Sequence, residues 1–423
     1  MKGNAGDLPT LRTPVPGPRS RALSVELRRW EAPHVTYVDP DGKFPIFWER
    51  GHGCLVEDVD GNRLLDLTAA FGVAALGHGS AVISEAVTQQ ADRLVHGMGD
   101  VHPTAVKVEL ARRVADFTPT GLDVSQFGSS GGDAVEIALK TARLASGKPG
   151  IVAFTGGYHG LNLGALSVTH RSDFRAPFGG WIPEFASHLP YGQRIDRLPD
   201  GTGAVLVEPI QGRGGVVVPP KGWLAHLREL CDREGALLIV DEIFTGWGRT
   251  GTWFAVDREG VVPDLMCVGK ALGGGLPLSA CVGRREVMDT WGESTGEALH
   301  TSTFLGNPLA CAAGLAVLDR LEALGAPGRA EDLGGRTMEM LAKLAARRPK
   351  QIREVRGRGL MLGVELVDPA MGPLLATRLL AKGLIALPAG DGSVLEITPP
   401  LIIEFPQLEW AVSRIEEALE VLE

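Results

Sequence analysis

The stretch "PDLMCVGKALGGGLP", residues 263–277, joins a short apolar run to a glycine-rich turn and holds one lysine between them. A lysine side chain is seldom buried without a partner, and desolvation of its ammonium group lowers the pKa and makes the amine nucleophilic. The run "LMCV", residues 265–268, has the length of a strand and no polar alternation, as is typical of strands buried on both faces of a parallel sheet. The stretch therefore predicts that Lys270 follows a buried strand, either as a surface residue or as a reactive group.

Similar apolar runs recur along the chain and indicate the fold class. They lie at 124–127, 151–154, 204–207, 236–240, 265–268 and 279–283. Helical patterns separate several of them, which favours an α/β fold whose mostly parallel central sheet is flanked by helices. The residues between 167 and 203 read as a long loop, and the chain after about residue 314 reads as a smaller α+β domain.

Composition excludes several classes of protein. The 423 residues carry a net charge of −9 without a basic run, so no nucleic-acid partner is expected. No apolar stretch reaches the length of a membrane span, and the N-terminus lacks a signal core. The five cysteines are scattered and never form a CxxC pair, which is typical of reduced thiols in a cytoplasmic protein. No metal site is expected.

Two further motifs accompany Lys270. In "FGSSGGDAVEIALKTAR", residues 127–143, small residues lie between a strand and a helix, where backbone N–H groups favour a phosphate. In "ALLIVDE", Asp241 follows a buried strand, at the sheet edge where open parallel sheets bind ligands. Each motif alone has a structural explanation, as a tight turn and as a local ion pair respectively. The sequence "GWGRTG", residues 246–251, fits the dinucleotide pattern but lacks the required strand–helix context.

A phosphate cradle, a carboxylate and a desolvated lysine form the set that pyridoxal phosphate needs. The aldehyde of this cofactor takes a lysine Schiff base, its pyridinium takes an aspartate, and its phosphate needs hydrogen-bond donors. The sequence therefore predicts pyridoxal 5′-phosphate as the cofactor, bound covalently to Lys270.

The chain resembles the class III pyridoxal-phosphate aminotransferases of fold type I, from about Trp48 to the C-terminus. The blocks that carry the resemblance are "SGGDAVEIALKTAR", "VEPIQGRGG", "DEIFTGWGRTG", "PDLMCVGKALGGGLPLSA" and "HTSTFLGNPLACAA". The resemblance implies that Lys270 and Asp241 are catalytic. It also implies a set of cofactor contacts: Ser130, Gly131 and Gly132 at the phosphate, Tyr158 and Ile243 on the two ring faces, His159 beside Tyr158, and Thr303 at the neighbouring subunit's phosphate. The resemblance therefore also implies a homodimer with shared active sites. Whether two dimers pair into a tetramer stays open.

Proline, glycine and charged residues predict a flexible N-terminal tail over 1–22. The resemblance implies the division of the remaining chain into an N-terminal segment of the small domain over 23–75, a large cofactor-binding domain over 76–314 and a C-terminal small domain over 315–423.

Four positions depart from the family pattern: Phe244 stands where many members carry glutamine near the cofactor's ring oxygen, and three others concern the substrate. Members that act on 4-aminobutyrate, ornithine or acetylornithine usually carry arginine, glutamate and arginine where this chain has Leu161, Arg213 and Glu396. The last two form a substrate gate in the family, so an Arg213–Glu396 pair of reversed sense is expected here. Either Arg213 receives a substrate carboxylate or Glu396 receives a cationic group.

The leading hypothesis is an aminotransferase that moves an amino group from an amine or ω-amino acid to a 2-oxo acid by a ping-pong mechanism through the Lys270 Schiff base. An amino-acid racemase, epimerase or aminomutase on the same fold is the alternative, because it needs the same lysine and aspartate. A non-catalytic paralogue is the third possibility, and the intact cofactor motifs argue against it.

Overall fold

The computed structural model describes residues 7–421 and divides the chain into two compact units. The large unit runs from Ala81 to Glu331, and the small unit combines the residues through Ser80 with those from Asp332 onward. The predicted division at 75/76 and 314/315 differs from these bounds by 5 and 17 residues respectively (80 − 75 and 331 − 314). Among the described residues, no helix is both long and apolar enough to cross a membrane.

The N-terminal part of the small unit contains two helices and three strands, α1 (Pro18–Trp30), β1 (Trp48–His52), β2 (Leu55–Asp58), β3 (Arg63–Asp66) and α2 (Ala69–Gly72). The flexible tail predicted over 1–22 differs from the structure, although residues 1–6 lie outside the described part. Thr10 forms a β-bridge with Arg63, and the buried Ser20 hydroxyl donates to Asp60 at 2.7 Å. These contacts order a stretch that composition alone marks as flexible.

The large unit is built on one seven-stranded sheet. Its helices and strands are α3 (Ala81–Arg93), α4 (Ala105–Phe117), β4 (Leu122–Gly128), α5 (Gly131–Ser146), β5 (Gly150–Phe154), α6 (Leu163–Val168), α7 (Ser172–Arg175), β6 (Ala186–Leu189), β7 (Thr202–Val207), α8 (Trp223–Glu234), β8 (Leu237–Asp241), β9 (Leu265–Val268), β10 (Ser279–Arg284), α9 (Arg285–Met288) and α10 (Pro308–Leu324). Four 3₁₀ helices lie between them, at Ala176–Trp181, Ala255–Glu259, Lys270–Gly273 and Asp289–Trp291.

The strand order of this sheet is β4-β10-β9-β8-β7-β5-β6. The five strands from β9 to β6 are parallel, and β10 is antiparallel to both of its neighbours. Every residue of β7 and β9 is buried, because the sheet is covered on both faces as the apolar runs predicted. The predicted α/β class with a mostly parallel central sheet is confirmed.

The register of β8 and β9 positions the predicted chemistry. Asp241, the last residue of β8, pairs with Cys267 of β9, and Lys270 follows three residues later. Because the two strands are parallel neighbours, their carboxyl ends share one sheet edge. Asp241 and Lys270 therefore reach the same edge of the sheet.

The C-terminal part of the small unit follows α11 (Ala326–Arg347), which crosses the boundary between the units. Its further elements are β11 (Ile352–Arg358), β12 (Met361–Leu366), α12 (Met371–Ala381), β13 (Leu384–Ile385), β14 (Leu387–Ala389), β15 (Val394–Ile397) and α13 (Phe405–Glu420). β13 joins the N-terminal strands by pairing in parallel with β3, while the other four strands form a sheet in the order β11-β12-β15-β14. Two distant parts of the sequence thus share one unit.

Candidate active site

A cavity of about 350 Å³ lies in the large unit and gathers most of the predicted site residues. Its lining consists of Ser130, Gly131, Gly132, Tyr158, His159, Gly160, Leu161, Asn162, Glu208, Arg213, Asp241, Ile243, Phe244 and Lys270. A wider groove of about 530 Å³ along residues 189–200 is lined by two arginines that are each ion-paired with an aspartate. The nucleophile and the carboxylate that the sequence singled out both belong to the first cavity.

Lys270 lies at the start of the 3₁₀ helix that follows β9 and has left-handed backbone geometry. Its φ of 45° is rare for a residue other than glycine, and such strain persists where surrounding structure enforces it, often at functional sites. The side chain is partly buried, and Nζ lies 3.6 Å from the centre of the Phe244 ring. This cation–π contact holds the amine inside the cavity.

Asp241 is 5% exposed and has both carboxylate oxygens engaged. Oδ2 lies 2.7 Å from His159 Nδ1, and Oδ1 accepts a hydrogen bond of 3.1 Å from the Ile243 N–H. Burial by itself lowers the pKa of His159, but the hydrogen bond and charge of Asp241 outweigh it and raise that pKa above the ordinary value. His159 therefore orients Asp241 and offsets its negative charge.

The phosphate loop forms the start of α5. The Ser130 hydroxyl accepts from the Asp133 N–H at 3.2 Å, and the Asp133 carboxylate accepts from the Ser129 and Ser130 N–H groups at 3.0 Å each. The N–H groups of Gly131 and Gly132 lie in the first turn of the helix, where no intrahelical acceptor is available. These two donors and the Ser130 O–H group are the ones positioned to receive an anion.

The turn that carries Tyr158 packs against this loop backbone to backbone. A Cβ atom on Gly160, whose φ is 122°, would lie 2.9 Å from the Gly132 Cα atom. A Cβ atom on Gly132 would meet the Asn162 Oδ1 atom at 2.9 Å. Glycine at these two positions permits the close approach of the turn to the loop.

Arg213 lies against aromatic rings. Its guanidinium carbon is 5.3 Å from the centre of the Tyr158 ring and 6.0 Å from that of Phe174, a residue of α7. The Arg213 Nε atom is buried without a hydrogen-bond partner. Within the large unit, no described residue ion-pairs or hydrogen-bonds with this guanidinium.

Glu208 is a cavity residue that the sequence predictions missed. It follows β7, is 7% exposed, and its two oxygens accept the N–H groups of Tyr158 at 3.0 Å and Gly212 at 3.2 Å. Burial raises the pKa of Glu208 to about 7, against the lowering effect of His159. The sequence did contain a signal for this residue, since Glu208 directly follows the apolar run 204–207 as Asp241 directly follows the run 236–240.

Two predicted site residues lie outside this lining. Thr303 is exposed, and its role at a neighbouring subunit's phosphate stays a prediction. Glu396 lies on β15 of the small unit, where its Oε1 atom accepts from the Thr398 hydroxyl at 3.1 Å, and its pairing with Arg213 stays a prediction. Leu161 does line the cavity and is 49% exposed.

Comparison with known proteins decides the family. The aminotransferase class III family matches residues 36–419, nearly the whole chain. This chain belongs to the class III aminotransferases. The acetylornithine aminotransferase of Methanopyrus kandleri is 42% identical over 386 residues, which cover 90% of this chain and 96% of that protein.

Solved structures agree with this aminotransferase assignment. The ornithine aminotransferase of Toxoplasma gondii superposes with a TM-score of 0.87 at 30% identity, over 95% of both chains. The PLP-bound amine transaminase of an uncultivated Pseudomonas species superposes with a TM-score of 0.85 at 30% identity, over 93% of this chain and 99% of that one. The predicted fold type, aminotransferase activity and pyridoxal-phosphate cofactor are confirmed.

The cavity of this aminotransferase fits its cofactor. A Cβ atom on Gly131 would lie 3.0 Å from Ile243 Cδ1, so glycine lets the loop lie close to the cavity wall, and the N–H groups of the two glycines suit a phosphate. Asp241 offers a buried carboxylate for a protonated ring nitrogen, and Lys270 offers an amine in the same cavity.

Proposed function

We propose that Lys270 holds the cofactor covalently and carries the proton that moves during transamination. Bound pyridoxal phosphate withdraws electrons from the substrate, so that a proton can leave the carbon next to the amino group. A lysine amine is suited to accept that proton and return it, provided that it reaches the reacting atoms within hydrogen-bond distance. The observation that carries the proposal is the placement of Lys270 and Asp241 in one cavity, at adjoining strand ends.

The other cavity residues bind and orient the cofactor. The Asp241 carboxylate, fixed by His159, pairs with the protonated ring nitrogen and keeps it protonated. Ser130, Gly131 and Gly132 donate hydrogen bonds to the phosphate. Tyr158 and Ile243 cover the two faces of the ring. These roles rest on the family resemblance and on the shared cavity.

The reaction proceeds in two half-reactions. The amino donor, an amine or ω-amino acid, leaves as a carbonyl compound while its amino group stays with the enzyme. A 2-oxo acid then takes that amino group. The names of the similar proteins support this class of donor, since they refer to acetylornithine, ornithine and amines. Leu161, Arg213 and Glu396 select the substrate.

The donor half-reaction tests this function. Purified holoenzyme is mixed with single amines and amino acids, without an acceptor, and its visible absorbance is followed. We expect one donor class to bleach the cofactor band and to release about one carbonyl product per subunit. If an amino acid instead loses its chirality while the band persists, the enzyme is an isomerase.

We also propose a homodimer in the cytoplasm. Thr303 lies in an exposed segment with the apolar residues Leu299 and Phe304, which are 76% and 62% exposed. Such apolar exposure is typical of a protein–protein interface. All five cysteines are free and buried, which suits a reducing compartment.

Subunit mixing tests the shared sites. Lys270→Ala and Thr303→Ala subunits are each expected to be nearly inactive, and a mixed dimer regains one intact site if Thr303 serves the partner's cofactor. Failure of hybrids to regain activity would contradict the shared arrangement.

A further inference from the structure

Arg213 has a chemically unusual environment for a cavity residue. Its guanidinium lies over the Tyr158 ring and near the Phe174 ring, yet its buried Nε–H group has no acceptor. A buried donor without a partner costs free energy, more so when it carries charge. Stacking on aromatic faces leaves the in-plane N–H groups of an arginine available, and their fork matches a carboxylate.

Arg171 is a nearby arginine for comparison, because it stacks on the same ring as Arg213 and has a carboxylate partner. Its guanidinium carbon lies 5.0 Å from the centre of the Phe174 ring, so it also stacks on that ring. Its Nη2 and Nε atoms donate hydrogen bonds to Asp173, at 2.7 Å and 3.1 Å from the carboxylate oxygens. Arg171 does not line the cavity of Lys270, whereas Arg213 does. Both arginines lie against the Phe174 ring. Arg171 is hydrogen-bonded to a carboxylate, whereas Arg213 is not hydrogen-bonded to one among the described residues of the large unit.

Glu208 links Tyr158 to the turn that carries Arg213. One of its oxygens holds the N–H group of Tyr158 and the other holds that of Gly212, the residue before Arg213. A single buried carboxylate therefore ties the turn that carries the ring to the turn that carries the guanidinium. Such pre-organisation lowers the ordering cost of binding, because neither turn has to be ordered by the ligand.

We infer that Arg213, stacked on Tyr158 and Phe174 and positioned by Glu208, binds the carboxylate of the substrate, so that the enzyme selects amino acids and oxo acids over simple amines. This inference rests on the proposed function and narrows its donor class. It assigns Phe174 and Glu208 to substrate selection, Phe174 as part of the stacking surface and Glu208 as a positioning residue.

The test measures binding of an unreactive anion and its neutral analogue to the holoenzyme. Butanoate and butanamide are titrated by calorimetry into the wild type, Arg213→Gln and Arg171→Gln, at a pH near 7. We expect the wild type to prefer butanoate, and Arg213→Gln to raise its Kd for butanoate at least about tenfold, because hydrogen bonds between charged groups are the stronger ones. The Kd for butanamide is expected to stay within about twofold in Arg213→Gln, since no ionic hydrogen bond is lost.

Arg171→Gln is the matched control and is expected to leave both Kd values unchanged. A wild type that does not prefer butanoate, or an Arg171→Gln variant that loses as much affinity as Arg213→Gln, would overturn the inference. Arg213→Lys keeps the charge without the planar fork and is expected to recover only part of the preference.

Glu208→Gln tests the positioning role. The amide keeps one acceptor oxygen and presents an NH₂ group to the other turn, so one of the two hydrogen bonds is lost. We expect a weaker preference for butanoate, with butanamide binding unchanged. An unchanged preference would show that Glu208 does not position Arg213. Because these Kd values do not depend on turnover, they report on Arg213 even if no donor bleaches the cofactor band and the proposed function fails.

Discussion

At the residue scale, the central group is Lys270, whose amine lies in the same cavity as the buried carboxylate of Asp241. The sequence predicted that both residues lie at one site, because a lysine between an apolar run and a glycine turn and an aspartate at a strand end are both unusual. Phe174 and Glu208 were missed for different reasons. Phe174 lies in a stretch without periodicity, and Glu208 becomes meaningful only when its two backbone partners are known.

Lys270 is expected to be indispensable as an amine and not merely as a charge. Both Lys270→Ala and Lys270→Arg should lower kcat at least about 10²-fold, the range that a positioned acid–base group contributes. Arginine keeps the positive charge but cannot form the covalent link or give up its proton near neutral pH. Steady-state kinetics with a donor and an oxo acid measure the effect. An arginine variant with most of the wild-type kcat would show that only the charge matters.

Glu242 predicts a pH dependence of stability. It is fully buried, accepts from the Val256 N–H at 2.9 Å and from the Thr245 hydroxyl, and burial raises its pKa from 4.5 to about 7. Because the folded-state pKa lies above the unfolded value, the folded chain binds more protons between these two pH values. This contribution to the free energy of unfolding is therefore complete below pH 4.5 and is lost as the pH rises through 7.

The Glu242→Gln variant removes this titration. The free energy of unfolding of this variant minus that of the wild type should increase by about 2 kcal/mol when the pH is raised from 5.5 to 8. This follows from about 1.4 kcal/mol per pKa unit. Urea unfolding at both pH values measures the difference. Glu229→Gln, at an exposed position of α8, is the control and should show no such change. An equal stability difference at both pH values would contradict the buried titration.

At the element scale, apolar runs revealed where strands lie but not their direction. The run 279–283 resembles the others, yet β10 is antiparallel to β4 and β9. A strand buried on both faces has the same apolar composition in either direction, so only the connections decide. β6 lies within residues 167–203, which were expected to form a long loop, and the structure pairs it with β5 at the sheet edge.

The close contact between the Tyr158 turn and the start of α5 predicts that a substitution at Gly160 lowers stability and cofactor retention. Gly160→Ala combines an unfavourable φ with a Cβ atom 2.9 Å from the Gly132 Cα atom. We expect it to lower the free energy of unfolding by about 1–3 kcal/mol, as backbone strain does, and to weaken cofactor retention. Urea unfolding and the visible band after dialysis measure the two effects.

Gly180→Ala is the control for this prediction. Gly180 lies in an exposed 3₁₀ helix where a Cβ atom would meet nothing within 4 Å. Its replacement should change stability by no more than about 0.5 kcal/mol, as is usual for surface positions. Equal effects of the two substitutions would show that the close approach at Gly160 is unimportant.

At the scale of the whole molecule, the small unit illustrates the limit of sequence patterns. It joins the first eighty residues to the C-terminal part through the pairing of β3 with β13, a contact that no local pattern announces. The resemblance to the family supplied this association, whereas composition marked the N-terminus as flexible. Hydrophobic periodicity predicts helices and strands, and it does not predict contacts between residues that are far apart in the sequence.

The thiols predict the chemical behaviour of the folded chain. All five cysteines are free and buried, and burial raises the pKa of Cys231 and of Cys311 to about 12. Since the thiolate is the reactive form, the native enzyme should resist Ellman's reagent, and all five thiols should react after denaturation. Rapid reaction of any thiol in the native enzyme would contradict this burial.

The most direct test of the central claim is to locate the cofactor on the chain. Native holoenzyme is reduced with borohydride, which makes a lysine–cofactor bond permanent, then digested and mapped by mass spectrometry. We predict a single phosphopyridoxyl group, on the peptide that contains Lys270. A group on another lysine, or none in an enzyme that still transfers amino groups, would contradict the assignment of Lys270 as the residue that holds the cofactor.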